Sequence, residues 1–223
     1  MTAYNTGMTG QNMIDEVLSH GNEEGTSEQN ARALRWLNRA SIHLFSKFDW
    51  PELIVNDAEF TTDGSTKYDL TTYLTADSIA VENFGRLRGD SIRIGTLPLD
   101  IIGKGQWDKK DPARTLSGVA VAAAMTNRKD FRILPYGSDG ETVKLDFVGL
   151  PVLITAATTA DEMSFYPERQ ILVIEYAVMW TYRHTGQGDW TWQNKLFDQH
   201  LDAEKVRASV TSSTPGRFPN KKF

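Results

Sequence analysis

The chain has 223 residues, a formal charge of −5, 40% hydrophobic residues and no cysteine. That length holds one large domain or two small ones. The cysteine count excludes disulfides, thiol nucleophiles and thiolate metal sites together, and the acidic balance argues against a general nucleic-acid binder. The first residues lack both a basic and an apolar signal region, so the protein is expected to be made and used in a cytoplasm, or in something assembled there.

Residues 1–10 are small and polar and are expected to stay loose or adapt to a partner. Gln11–His20, with Met13, Ile14, Val17 and Leu18 at helical spacing, reads as a short amphipathic helix ended by Gly21. Thr26 and Gln29 form a T-x-x-Q capping box for a second helix reaching about Phe48. Its seam is Ala33, Leu34, Leu37, Ser41, Leu44 and Phe48, with Arg32, Arg35, Arg39 and Lys47 mostly outside. Pro51 stops it.

From Glu52 to about Glu162 the pattern turns short and β-rich. Strands are expected at Leu53–Phe60, Lys67–Leu70, Ile79–Glu82, Ser91–Ile94, Val119–Ala124, Phe131–Leu134, Thr142–Phe147 and Val152–Ala156. Turns at Thr62-Asp63-Gly64, Gly89-Asp90 and Ser138-Asp139-Gly140 space them as antiparallel neighbours in a small sandwich or barrel. Leu99–Trp107 fits strand or helix, and Lys109-Lys110-Asp111-Pro112 reads as an exposed loop.

Tyr166–Gly186 is the most apolar stretch. Pro167 suits a first helical turn, Glu168 suits the positive end of the dipole, and Gly186 closes the helix. Ile171, Leu172, Val173, Ile174, Tyr176, Ala177, Val178, Met179, Trp180 and Tyr182 leave almost no polar face, so the helix needs cover on nearly all sides. Glu175 interrupts a run already too short to span a bilayer, which leaves a helical layer or a subunit interface. After GQGD, Asp189 caps a helix from Trp190 to about Val210, with Trp192, Leu196, Ala203 and Val206 on one side. Ile171, Ile174, Val178, Trp180 and Trp192 are the residues expected to pack the bundle or a ring.

The tail from Ser212 to Phe223 has two prolines, one glycine, three cations and no acidic side chain, and builds no core alone. It reads as either a disordered terminus or an arm that folds on a partner. The aromatic anchors Phe218 and Phe223, with Arg217, Lys221 and Lys222 to meet acidic groups, favour the arm. The fold class is therefore α+β. A bundle of about four helices (1–50 and 164–211) is interrupted by an antiparallel β insertion (51–163) and followed by an extended arm (212–223).

Candidate chemistry is sparse. Gly103-Lys104-Gly105 lacks the third glycine of a phosphate loop and reads as a surface turn. His20, His43, His184 and His200 match no metal-ligand spacing, and Glu23-Glu24 and Asp161-Glu162 sit at helix starts. No catalytic, metal or cofactor residue is assigned. Trp180, Trp190 and Trp192 are expected to pack the last two helices together, with a stacking platform for a sugar or base as the alternative.

The order of five segments resembles the head-to-tail adaptor, or connector, proteins of tailed bacteriophages, over roughly residues 27–210. These are ARALRWLNRASIHLFSKFDWPEL, AEFTTDGSTKYDLT, RLRGDSIRIGTLP, FRILPYGSDGETVKLDF and SFYPERQILVIEYAVMWTYR. The resemblance implies a non-enzymatic structural protein of the virion, assembled in the host cytoplasm. It implies a homo-oligomeric ring, typically dodecameric, docked on the portal protein, with downstream tail or nozzle proteins on its other face. Genomic DNA would pass through its channel without sequence-specific binding, and no membrane is involved. The alternative is a carbohydrate-binding or other oligomeric binding module using the β region; a hydrolase would need an acidic pair across that region.

Overall fold

The computed structural model describes residues 7–73, 83–88, 92–110, 112–113, 118, 120, 122–125, 130–135 and 139–212. The expected strand Ile79–Glu82, the Gly89-Asp90 turn and the arm residues Arg217, Phe218, Lys221, Lys222 and Phe223 lie outside them. The fold is α+β. Among the described residues, those before Ile54 and after Leu150 form one compact unit and those from Ile54 to Leu150 another. Residues 151–163, expected with the strands, fall with the helices.

The helical unit contains α1 (Gly10–His20), α2 (Ser27–Lys47), α5 (Pro167–Thr185) and α6 (Trp190–Ser212). Local chemistry sets their ends. Thr26 Oγ1 accepts from the Gln29 amide at 3.3 Å, and the Thr26 amide donates to Gln29 Oε1 at 2.8 Å, completing the capping box. Pro167 occupies the first turn of α5, and Gly186 ends it at a φ of 70°, which a Cβ would strain. Asp189 Oδ1 accepts from the amides of Thr191 and Trp192 at 3.0 and 3.1 Å, capping α6.

Helix α5 packs against α1, α2 and α6. Its Leu172, Val173, Ile174, Ala177 and Val178 are buried, as are Met13 and Val17 of α1, Leu37 and Leu44 of α2, and Phe197 and Leu201 of α6. The cover that so apolar a helix requires thus comes from its own chain. Each of these side chains other than Ala177 contributes about 1.5–3 kcal/mol through burial.

Val152–Ala156 is not a strand. Its backbone groups find side-chain partners, which replace a ladder. The Asn38 amide accepts from the Ile154 N–H at 2.8 Å and donates to the Ile154 carbonyl at 2.9 Å. The Val152 amide donates to Ser164 Oγ at 2.7 Å, and the Thr155 amide to Thr158 Oγ1 at 2.8 Å. Gly10 makes the approach of this segment possible: its amide donates to the Thr158 carbonyl at 2.8 Å, and a Cβ there would stand 1.8 Å from the Thr155 carbonyl oxygen.

Among its described residues, the β unit holds two sheets and no closed barrel. In the first, β9 (Thr142–Gly149) pairs antiparallel with β1 (Ile54–Thr61), β3 (Phe84–Leu87) and β4 (Arg93–Ile94), and β4 pairs with β5 (Leu97–Pro98). The second runs β2 (Tyr68–Asp69), β8 (Asp130–Leu134), β7 (Ala122–Met125), β6 (Asp100–Ile101), with β6 parallel to β7. Phe60, Tyr68, Phe84, Phe131, Ile133, Leu145 and Phe147 from the two sheets share one core. Short α3 (Leu70–Tyr73) follows β2, and α4 (Lys104–Lys110) places Trp107 over Ala122, Ala124 and Leu134. Lys109 and Lys110 therefore end a helix where a loop was expected. Alanines suit β7 because both its faces are covered.

Strand β3 escapes the alternating pattern because Gly85 interrupts it. There the register with β9 slips between Phe84 and Arg86. A second slip lies between Val55 and Ala58, where Asp57 takes a φ of 55° and its amide donates to Asp146 Oδ1 at 2.8 Å.

Candidate partner-binding site

Two surfaces of the helical unit stand out. The first follows the outward face of α2, where an open trough of about 1090 Å³ is lined by Arg35, Arg39, His43 and His184 over Trp36, Ile42, Leu153 and Tyr176. Ile42 is 45% exposed and Leu153 67%. Among the described residues, no aspartate or glutamate lines it.

An aromatic and cationic stack stiffens this face. Trp36 and Trp180 are stacked with centroids 5.4 Å apart. The Arg39 guanidinium lies 5.2 Å from the Trp36 ring and 5.6 Å from Trp180, and Arg183 lies 5.0 Å from Trp180 and 5.4 Å from Trp190. This revises the expected tryptophan cluster. Trp180 pairs with α2, and Arg183 bridges it to Trp190, which is half exposed.

His43 lies 4.5 Å from the Tyr176 ring and 6.0 Å from Phe197. Burial pushes its pKa below the ordinary 6.5, and Lys47 and Lys205 push the same way against Asp198. The unfolded chain then binds the proton more readily than the folded one. Stability should fall as pH drops through about 6.5, and a His43→Phe variant should lose that part of the decline when midpoints of chemical denaturation are compared across pH 5–8. At Glu175 the sign is opposite: burial raises its pKa despite the His200 ring nitrogen 2.7 Å away.

The second surface is on α6. This helix buries Gln193, Phe197, Leu201, Glu204 and Ala208, not the expected side of Trp192, Leu196, Ala203 and Val206. Two interactions explain the choice. Phe197 packs edge-on to Tyr176 at 5.2 Å, and Glu204 approaches Arg169 Nε at 4.0 Å while pairing with Arg207. Trp192 is left 58% exposed and Val206 64%.

The residues expected to pack the bundle or a ring therefore separate. Ile174 and Val178 are buried, Trp180 is half-buried in its stack, and Ile171 and Trp192 are exposed, Ile171 by 38%. Arg169, Ile42 and Leu153 carry roles that periodicity did not single out; only the placing of Arg35 and Arg39 outside the α2 seam pointed to the trough. Among the described residues, no group of three or more histidine, aspartate or glutamate side chains is placed to hold a metal, and no helix is long and apolar enough to cross a membrane.

Comparison with curated proteins gives no match. The family model described as SU10 adaptor protein matches residues 8–218, which takes in both compact units. The chain belongs to that family, and with it to the head-to-tail adaptors of tailed phages.

Proposed function

We propose that this phage adaptor forms a closed ring docked on the portal, extends the DNA channel and presents the attachment platform for tail proteins. The observation that carries the reading is the family match across residues 8–218, which assigns the adaptor role to the whole chain and not to one unit. Exposed Trp192 and Val206 on α6, and Ile42 and Leu153 in the trough, support assembly, because they are large apolar side chains that a contact with another molecule would cover. The buried face of α5 lends no support, since its own chain covers it. A net charge of −5 suits a conduit along which duplex DNA must slide. The expected arm, residues 212–223, loses Ser212 to α6; Arg217, Lys221 and Lys222, with Phe218 and Phe223 as anchors, make the remaining residues 213–223 the proposed portal-binding arm.

The test is to mix the protein with the portal ring from the same genome and determine mass and negative-stain images of the mixture and of each component. A stoichiometric ring at one end of the portal is expected, and its mass gives the copy number. Absence of association, with both components folded, overturns the reading. Deleting residues 213–223 should weaken docking at unchanged melting temperature; unaltered docking removes the arm from the mechanism.

A further inference from the structure

We infer that neighbouring copies join by laying the exposed strip of α6 from one copy into the trough along α2 of the next. The inference rests on the ring reading above and names the surfaces that build the ring.

The strip is a helix-packing seam. Trp192, Leu196, Gln199, Ala203 and Val206 follow one another at alternating intervals of four and three residues, which keeps them on one face and is the spacing by which one helix packs along another. The face that α6 turns inward is a different one, so packing among the described residues leaves Trp192, Gln199, Ala203 and Val206 of this seam exposed, with Leu196 half-buried. Trp192 is 58% exposed and Val206 64%, so large apolar side chains stand open at both ends of the seam. The seam is too small for a whole interface at roughly 800 Å² per partner, but suits the apolar centre of one.

The trough fits such a ridge. It runs along α2, whose 21 residues match the 23 of α6 in length, both on the order of 30 Å. Ile42 and Leu153 give it exposed apolar side chains. Its rim of Arg35, Arg39 and His184 meets no acidic side chain among the described lining residues, whereas one flank of the α6 seam carries exposed Asp198 and Asp202, the latter paired with Lys205 at 3.1 Å, beside Lys195. The chain's last residues suit the trough poorly, because residues 213–223 bring three more cations.

The symmetry follows from using two different surfaces. Each copy carries one seam and one trough, so the contact is head-to-tail, and such contacts generate rings when the rotation closes. Pairing α6 with α6 would instead exhaust the seam in a two-fold dimer.

Because the chain has no cysteine, introduced thiols report only the contact under test. Single variants Leu196→Cys and Val206→Cys on the seam, and Ile42→Cys and Leu153→Cys in the trough, are assembled on the portal ring alone and in seam-plus-trough mixtures. They are then oxidised mildly and run on non-reducing gels. Seam-plus-trough mixtures should give covalent dimers, each variant alone should not, and a double variant such as Ile42→Cys with Val206→Cys should give a ladder. Val206→Asp should abolish ring formation while leaving the melting temperature of the free protein unchanged.

Seam-to-seam crosslinks would overturn the inference in favour of a two-fold contact. A ring of correct mass with no seam-to-trough crosslink would overturn it while leaving the ring reading intact, and absence of any wild-type ring would remove both. Duplex DNA that protects the trough thiols, in rings lacking those crosslinks, would reassign its cations to phosphate and also overturn the inference.

Discussion

Replacing Arg169 with methionine is expected to lower the unfolding free energy by about 3–5 kcal/mol, the cost of leaving a buried charge without its partner. Arg169 lies in the first turn of α5, where the helix dipole disfavours a cation, so its place there needs another cause. That cause is Glu52, whose side chain is only 2% exposed and which pairs with the guanidinium. Glu204 approaches Nε at 4.0 Å, and the guanidinium lies 5.1 Å from the Trp50 ring and 5.7 Å from Tyr166. The same enclosure raises the Tyr166 pKa, chiefly through burial and then through the Glu52 charge. One side chain thereby ties the segment after α2 to α5 and α6. Pairing Arg169→Met with Glu52→Leu should recover most of the loss, because the desolvation cost of both charges disappears together. A loss below about 1 kcal/mol for Arg169→Met in urea denaturation would show a solvent-screened pair and dismiss the cluster as an organising feature.

Val178→Asp is expected to leave the protein largely unfolded at 25 °C. Val178 is 2% exposed on the inner face of α5. The substitution removes about 1.5–3 kcal/mol of apolar burial and inserts a carboxylate whose desolvation costs several more. A domain with about 5–15 kcal/mol of total stability does not readily absorb that sum. Val178→Ala serves as the control, with an expected cost of about 2 kcal/mol and retained assembly. Circular dichroism and sizing of the free protein read the outcome before any ring is involved. If Val178→Asp were folded as a free chain and failed only in assembly, the inner face of α5 would be a subunit interface and the internal cover described above would be wrong. Together with Val206→Asp, this separates the two roles of the last helices: the α5 face holds the chain together, and the α6 seam holds copies together.

Much of the helical unit is readable without coordinates because its signals are local. The Thr26–Gln29 box, Pro167, Gly186 and Asp189 act within one turn of their own helices, so spacing alone places the ends. Strands β1, β8 and β9 are legible for a related reason, since each carries β-branched or aromatic residues that are buried in the core. Strand β3 is not, because Gly85 breaks the alternation at the point where the sheet accepts a slip. Val152–Ala156 has strand composition yet no strand neighbour among the described residues; its hydrogen bonds go to Asn38, Ser164 and Thr158.

The candidate surfaces divide in the same way. Sequence by itself determined that α6 carries an apolar stripe at Trp192, Leu196, Ala203 and Val206, that Arg35 and Arg39 lie outside the α2 seam, and, through the order of its segments, which family the chain joins. Only the tertiary structure decided which side of α6 turns inward. Helical periodicity identifies every apolar stripe on a helix but does not rank them; the choice falls to distant partners, here Tyr176 for Phe197 and Arg169 for Glu204. Those partners lie on another helix, and their pull leaves Trp192 and Val206 at the surface.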